Sequence, residues 1–310
     1  MKTKLTVVLF IVLVATAGAR AQSPDSVKEF HERGSERYAR GDLEGAISDF
    51  TSAINLSSSL FKGSSARRGK TPAAEVDDGF ARARVLDPRA ASAYLNRGVA
   101  RLAKGDYDGA IEDFDQALFI KPNEVWAFYD RGTAWMLKGE PGRALDDYDR
   151  ALRLDPRFAI GYTGRGNARL EKGDTAGAFA DYAEALRLAP RDARVYYNRG
   201  DARRATGDAA GALADYEQAM KLDPRYGDPY HGRGMLKIAD GDTAGAVTDF
   251  TKALSFNGGN ALAYANRGLA FLIQGNEAAA QGDFRRALEL DPGLRTQIEA
   301  RLASRKQQQR

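Results

Sequence analysis

Apolar and small residues recur at helical spacings along almost the whole chain, and the pattern restarts every 34 residues. In the second half of each period Ala is followed by an aromatic four positions on and by Ala three beyond. Ala110-Phe114-Ala117, Ala144-Tyr148-Ala151 and Ala212-Tyr216-Ala219 are examples. Steps of four and three put all three side chains on one face of a helix. The first half is marked by an aromatic four residues ahead of a glycine. These pairs are Phe30/Gly34, Tyr94/Gly98, Phe128/Gly132, Tyr162/Gly166, Tyr196/Gly200, Tyr230/Gly234 and Tyr264/Gly268. From Gly98 onward every step is 34 residues, but Gly34 lies 64 residues before Gly98, four short of two periods.

Seven residues after each of these glycines stands a second one: Gly41, Gly105, Gly139, Gly173, Gly207, Gly241 and Gly275. Glycine reaches the left-handed conformation that ends a helix, so the first helix is predicted to stop there. The next residue is usually acidic, as in Asp42, Asp106 and Asp174, and suits the cap of a second helix. Pro141 fits a first helical position. Pro122, Pro156, Pro190, Pro224 and Pro292 close most units, since proline cannot continue a helix; Gly258 takes that place once.

This ordered set of aromatic, Gly, Ala, aromatic, Ala and Pro positions resembles the tetratricopeptide repeat family over essentially all of residues 27–294. The resemblance implies an all-α, right-handed superhelical solenoid of 34-residue helix-turn-helix repeats with a concave groove. The expected organisation is a leader at 22–26, a first repeat at 27–56 and a degenerate repeat with a basic loop (Lys62, Arg67, Arg68, Lys70) at 57–90. Six regular repeats follow at 91–294, then a capping helix and basic tail at 295–310. Ile298 and Leu302 are expected to cover the last apolar face, which a solenoid cannot leave bare, and Ser304 to Arg310 to fray.

One regular feature departs from the family pattern. Where Leu is expected before the first glycine, the chain has Arg33, Arg97, Arg131, Arg165, Arg199, Arg233 and Arg267. Each second helix carries Asp just before its aromatic: Asp49, Asp113, Asp147, Asp181, Asp215, Asp249 and Asp283. Seven of each in fixed register predict a structural ladder of Arg–Asp pairs, because a buried arginine is normally paired. A basic ligand stripe is the rival reading, and the matched acids argue against it.

Ahead of the repeats, Met1 to Lys4 is short and basic, Leu5 to Val14 is apolar apart from Thr6, and the run ends Ala19-Arg20-Ala21. These are the three parts of a secretory signal peptide, with cleavage expected after Ala21. The apolar run is shorter than the roughly 20 residues that cross a bilayer. The expectation is an exported protein, periplasmic or secreted, with no stable membrane insertion. Removing Lys2, Lys4 and Arg20 takes the net charge from +4 to +1. A near-neutral body is a poor electrostatic trap for nucleic acid.

Cysteine is absent, which excludes disulfides and thiolate chemistry, and only His31 and His231 offer imidazoles. They hold equivalent places in distant repeats, which points to polar residues on a helix face and not to a shared metal. The stretch from Gly63 to Thr71 has the look of a phosphate-binding loop, but five residues separate its glycines instead of four and no strand precedes it. Asn55-Leu56-Ser57 is a glycosylation sequon of interest only on a eukaryotic route. No cofactor, metal site or catalytic group is expected.

The candidate site is the second face of the first helices. Trp126, Tyr129, Thr133 and Met136 recur at i, i+3, i+7 and i+10, off the packing face of Phe128, Arg131, Gly132 and Trp135. By resemblance to the family that stripe lines the groove. Its equivalents include Ser92, Leu95, Val99 and Leu102; Ile160, Thr163, Asn167 and Leu170; Arg194, Tyr197, Asp201 and Arg204; Asp228, His231, Met235 and Ile238. Aromatic and Met side chains on a concave surface are the usual anchors for a peptide. Two uses fit Trp126 and Tyr129, contact with a partner and packing against the next repeat, since both bury aromatics. The clamp by which some relatives hold a C-terminal carboxylate has no counterpart beyond Asn167.

The expected function is a non-enzymatic scaffold for a protein or peptide segment. The alternatives are an RNA-reading helical repeat, opposed by Asp201, Asp228 and the near-neutral charge, and an enzyme with its site in 57–90, a segment too short for a catalytic domain. Nothing in the sequence sets the oligomeric state.

Overall fold

Most helix boundaries follow from the punctuation of the repeat. The computed structural model describes residues 26–67 and 88–308 and holds fifteen α-helices and no strand among them. The helices are α1 (Val27–Ala39), α2 (Leu43–Arg67), α3 (Pro88–Lys104), α4 (Tyr107–Ile120), α5 (Val125–Lys138), α6 (Pro141–Leu154), α7 (Ala159–Glu171) and α8 (Thr175–Leu188). Beyond them lie α9 (Ala193–Ala205), α10 (Ala209–Leu222), α11 (Gly227–Ala239), α12 (Thr243–Phe256), α13 (Ala261–Ile273), α14 (Glu277–Leu290) and α15 (Arg295–Gln308). Two compact units divide the chain, Met1–Ala185 and Leu186–Arg310.

Between the helices of a hairpin the second glycine takes the left-handed conformation, with φ of 81° at Gly139 and 87° at Gly105. Asp106, Asp208 and Asp242 then cap the following helix, each side chain accepting the amide of the residue three ahead. Glu140 makes no such bond, and Pro141 supplies the fixed φ of the first turn instead.

The two helices of a hairpin close on an aromatic ring packed against a bare glycine. In the first unit a Cβ on Gly98 would stand 2.6 Å from the Phe114 ring, and one on Gly132 2.9 Å from the Tyr148 ring. In the second unit Gly234 meets Phe250 at 2.7 Å in the same way. The alanines flanking these rings are fully buried, so the helices approach as closely as backbone allows.

The structure corrects the expected degenerate repeat at 57–90. α2 does not end near residue 56 but continues to Arg67, and its hairpin packs directly on α3. Val27, Ala53 and Ile54 share one core cluster with Ala93, and Ala46 and Phe50 share another with Ala100. His31 bonds Asn96 across this junction at a separation of 65 residues, where the equivalent bond in the second unit, His231 to Asn266, spans 35. Thirty residues are therefore inserted into the connection and no repeat is interposed. The glycine-rich stretch starting at Gly63 begins inside α2, which removes the loop that a phosphate site needs; its remainder lies outside the described residues, as does the leader with its signal sequence.

At the other end of the chain, Leu294 and Ile298 are buried against Phe284 and Ala287, with Leu302 alongside. α15 runs on to Gln308 through the segment expected to fray. No helix among the described residues is long and apolar enough to cross a membrane.

Candidate partner-binding face

All seven ladder arginines grip the aspartate sixteen residues ahead. Arg131 donates from Nε and Nη2 to Asp147 at 2.9 Å and 2.6 Å, and Arg165 does the same to Asp181 at 3.0 Å and 2.7 Å. Arg97 with Asp113 and Arg199 with Asp215 repeat the fork, as do Arg33 with Asp49, Arg233 with Asp249 and Arg267 with Asp283. Each guanidinium also stacks on the aromatic three residues earlier, 5.4 Å from the Tyr162 ring centre for Arg165. The third nitrogen reaches back to the preceding hairpin: Arg131 Nη1 to Asp115, Arg165 Nη1 to Asp149 and Arg267 Nη1 to Thr251. These arginines commit Nε and Nη2 to the aspartate of their own hairpin, which argues against a ligand stripe.

A second cation joins most rungs, and the sequence reading missed it. Arg101, Arg169 and Arg203, four residues after the ladder arginine, reach the same aspartate at 3.0, 2.7 and 2.7 Å, and Lys237 does so at 2.9 Å. Trp135 replaces this cation beside Asp147, and Phe271 beside Asp283. Burial lifts the Asp147 carboxyl above the usual carboxylate range despite Arg131.

On the other face, the twelve stripe residues singled out as groove candidates are more covered than an open groove would leave them. Val99, Tyr129, Thr133, Thr163, Asn167 and Tyr197 are buried, while Leu95, Trp126, Met136, Asp201, His231 and Met235 are half-buried. Tyr129 is 4% exposed, packs edge-on against Phe158 at 5.5 Å and lies tilted against Tyr148 at 5.6 Å. Trp126 lies edge-on to the same Phe158 at 4.9 Å. An aromatic triad forms, with Trp126 and Met136 at its rim. The second unit builds an equivalent triad from Tyr197, Tyr216 and Tyr226, with ring separations of 6.1 Å and 5.5 Å.

What surrounds the two triads differs in charge. In the second unit Asp201 is answered by Arg204 at 2.7 Å and by the Tyr216 hydroxyl at 3.2 Å. His231 accepts from Asn266 Nδ2 at 2.9 Å, and Asn266 in turn accepts from Arg301 Nη1 of α15 at 2.8 Å. With Nε2 accepting, the ring is neutral, and burial lowers its pKa to about 4. In the first unit Thr133 holds the place of Asp201, its hydroxyl 3.3 Å from that of Tyr148. One turn away stands Asp130, 5% exposed, whose carboxylate has no hydrogen bond or ion pair among the described residues. Counting the stripe at i, i+3, i+7 and i+10 from Trp126 steps over it. Its signal was that no other regular repeat has an acid two residues before the first glycine.

No group of three or more His, Asp or Glu among the described residues is placed to hold a metal ion. Models of the tetratricopeptide repeat match residues 91–124, 125–158, 193–226 and 231–294, and a TPR repeat model matches 166–207; together they cover well over half of the chain. The chain belongs to the tetratricopeptide repeat family. Its repeats have the fold of solved tetratricopeptide structures. A tetratricopeptide repeat protein from Parabacteroides merdae aligns at 20% identity with a TM-score of 0.63, covering 90% of this chain and 98% of that one. Yeast Tom70 aligns at 17% identity and 0.61, covering 94% and 67%, and the APC/C hetero-tetramer Cut9–Hcn1 at 15% and 0.60, covering 85% and 53%. A comparison with curated proteins finds no match.

Proposed function

We propose that this tetratricopeptide repeat protein is an exported, non-enzymatic scaffold that holds a segment of a partner protein against the first-helix face of its hairpins. The observation that carries the reading is the half-buried rim around a buried aromatic triad in each unit. Tyr129, Tyr148 and Phe158 in one and Tyr197, Tyr216 and Tyr226 in the other are roofed on the core side and edged by half-buried side chains of mixed chemistry on the other. Such rims, with Trp, Met and Arg at the edge of packed aromatics, are where binding energy concentrates in protein interfaces. The assembled state of the similar Cut9–Hcn1 hetero-tetramer fits a scaffold role. Export rests on the leader sequence alone.

The test places a photo-crosslinking phenylalanine analogue at Met136, on the rim of the first triad, and separately at Phe119, an exposed position on the second helix α4. Irradiation of the exported fraction is expected to give a discrete adduct from position 136 and none from 119. Equal labelling from both positions would overturn the reading.

A further inference from the structure

Among the described residues, the Asp130 carboxylate is the one acid on the first-helix face of the first unit that the fold buries without using. An unpaired buried charge is costly, and native proteins normally pair it or neutralise it. The ladder aspartates each have at least one cation in contact, and Asp201 on the corresponding face of the second unit has Arg204. Asp130 has neither cation nor hydrogen-bond donor among the described residues. Burial alone pushes its carboxyl well above the usual range. In its ionised form it is felt by two tyrosines, Tyr38 of α1, raised to about 12 by burial and then by Asp130, and Tyr148 of α6. Unlike Ser57 Oγ and Tyr226 OH, the fully enclosed polar atoms that lack a partner, the Asp130 oxygens keep a little accessible surface. The register on either side is open to a visitor. Asn96, the same position one hairpin earlier, spends its Nδ2 on His31 and leaves its carbonyl oxygen without a donor among the described residues. One hairpin later the position is Gly164, with no side chain at all.

Resting on the partner-binding reading above, we infer that this face of the first unit is a subsite for a cationic side chain, Lys or Arg, of an otherwise extended partner segment. Asp130 makes the ion pair, the Asn96 carbonyl adds a second acceptor, and the Tyr38 and Tyr148 rings flank the aliphatic stem. A long cationic side chain suits such a place because its methylenes pack on aromatics while its head finds the charge. A partner carboxylate is excluded by the same charge.

A random nonapeptide phage library panned against the full mature chain, and in parallel against Asp130→Asn, tests this. The wild type is expected to select peptides with Lys or Arg enriched about tenfold at one position, and Asp130→Asn to lose that enrichment while still selecting peptides, as expected for the loss of a close charge pair. Asp130→Asn is also expected to melt at the same or a higher temperature than wild type, because the side chain it replaces makes no hydrogen bond or ion pair among the described residues, so loss of selection is not loss of fold. Peptides selected without a basic position, or a basic position selected equally by both proteins, overturn the subsite and leave the groove standing. No selected peptide from either protein overturns the groove and the subsite together. A marked fall in melting temperature for Asp130→Asn would show that the carboxylate has a structural role, and would sink the inference as well.

Discussion

Arg131 closes a two-point fork on Asp147, and no other cation among the described residues reaches that carboxylate. The equivalent aspartate one repeat later, Asp181, has both Arg165 and Arg169. Removing one partner of a buried pair leaves an uncompensated charge. Arg131→Ala is therefore expected to cost about 3 kcal/mol, and Arg165→Ala, which leaves Arg169 in place, about 1 kcal/mol. Urea unfolding midpoints of the two variants check the order, and equal losses would show that the second cation contributes nothing.

Gly98 and Gly282 predict opposite signs for the same substitution. A helical Gly→Ala change gains about 1 kcal/mol of propensity. At Gly282 a Cβ would meet nothing within 4 Å, so that gain should appear as added stability. At Gly98 the Cβ would stand 2.6 Å from the fully buried Phe114 ring, and overpacking of about 2 kcal/mol outweighs the gain. Phe114→Leu should absorb part of the Gly98→Ala loss, giving a coupling of at least about 0.5 kcal/mol in a double-mutant cycle.

His231 sets a pH response for the second unit. Burial is the main cause of its lowered pKa, about 4 in the folded protein against about 6.5 unfolded. The folded value lies below the unfolded one, so the stability from the neutral ring is fully present above pH 6.5 and is lost as pH falls toward 4. The loss is on the order of 3 kcal/mol, and His231→Gln should show a flatter profile between those limits. A wild-type profile no steeper than that of the variant would refute the assignment.

The leader makes a separate claim. Mass spectrometry of the protein from the exported fraction should find a chain beginning at Gln22, and a cytoplasmic chain beginning at Met1 would refute export.

The hairpins and the arginine ladder were legible because each depends on a residue type that few others can replace. Only glycine admits the Phe114 and Tyr148 rings, and seven arginines in step with seven aspartates leave little choice of pairing. The break after the first repeat was misread for an equally physical reason. A gap of 64 residues looks like two shortened periods, whereas the His31–Asn96 bond shows one period and an insertion of thirty. The stripe named one member of each aromatic triad, Tyr129 and Tyr197, but not its burial, since periodicity gives a face and not what covers it. Asp130 was missed because its interest lies in having no partner, and a linear sequence does not record an absent contact.

The ladder arginine sits midway between its two partners. Arg131 takes Asp115 sixteen residues behind and Asp147 sixteen ahead, and Arg165 does the same with Asp149 and Asp181. Deleting or duplicating one whole block of 34 keeps every remaining arginine in register with the aspartate sixteen ahead, while a change of any other length between the two leaves one stranded. The chain is thus quantised in how it lengthens or shortens. The connection between α2 and α3 escapes that rule, since Arg97 still finds Thr51 across the added residues. Novelty of arbitrary length can enter there without dephasing the rest.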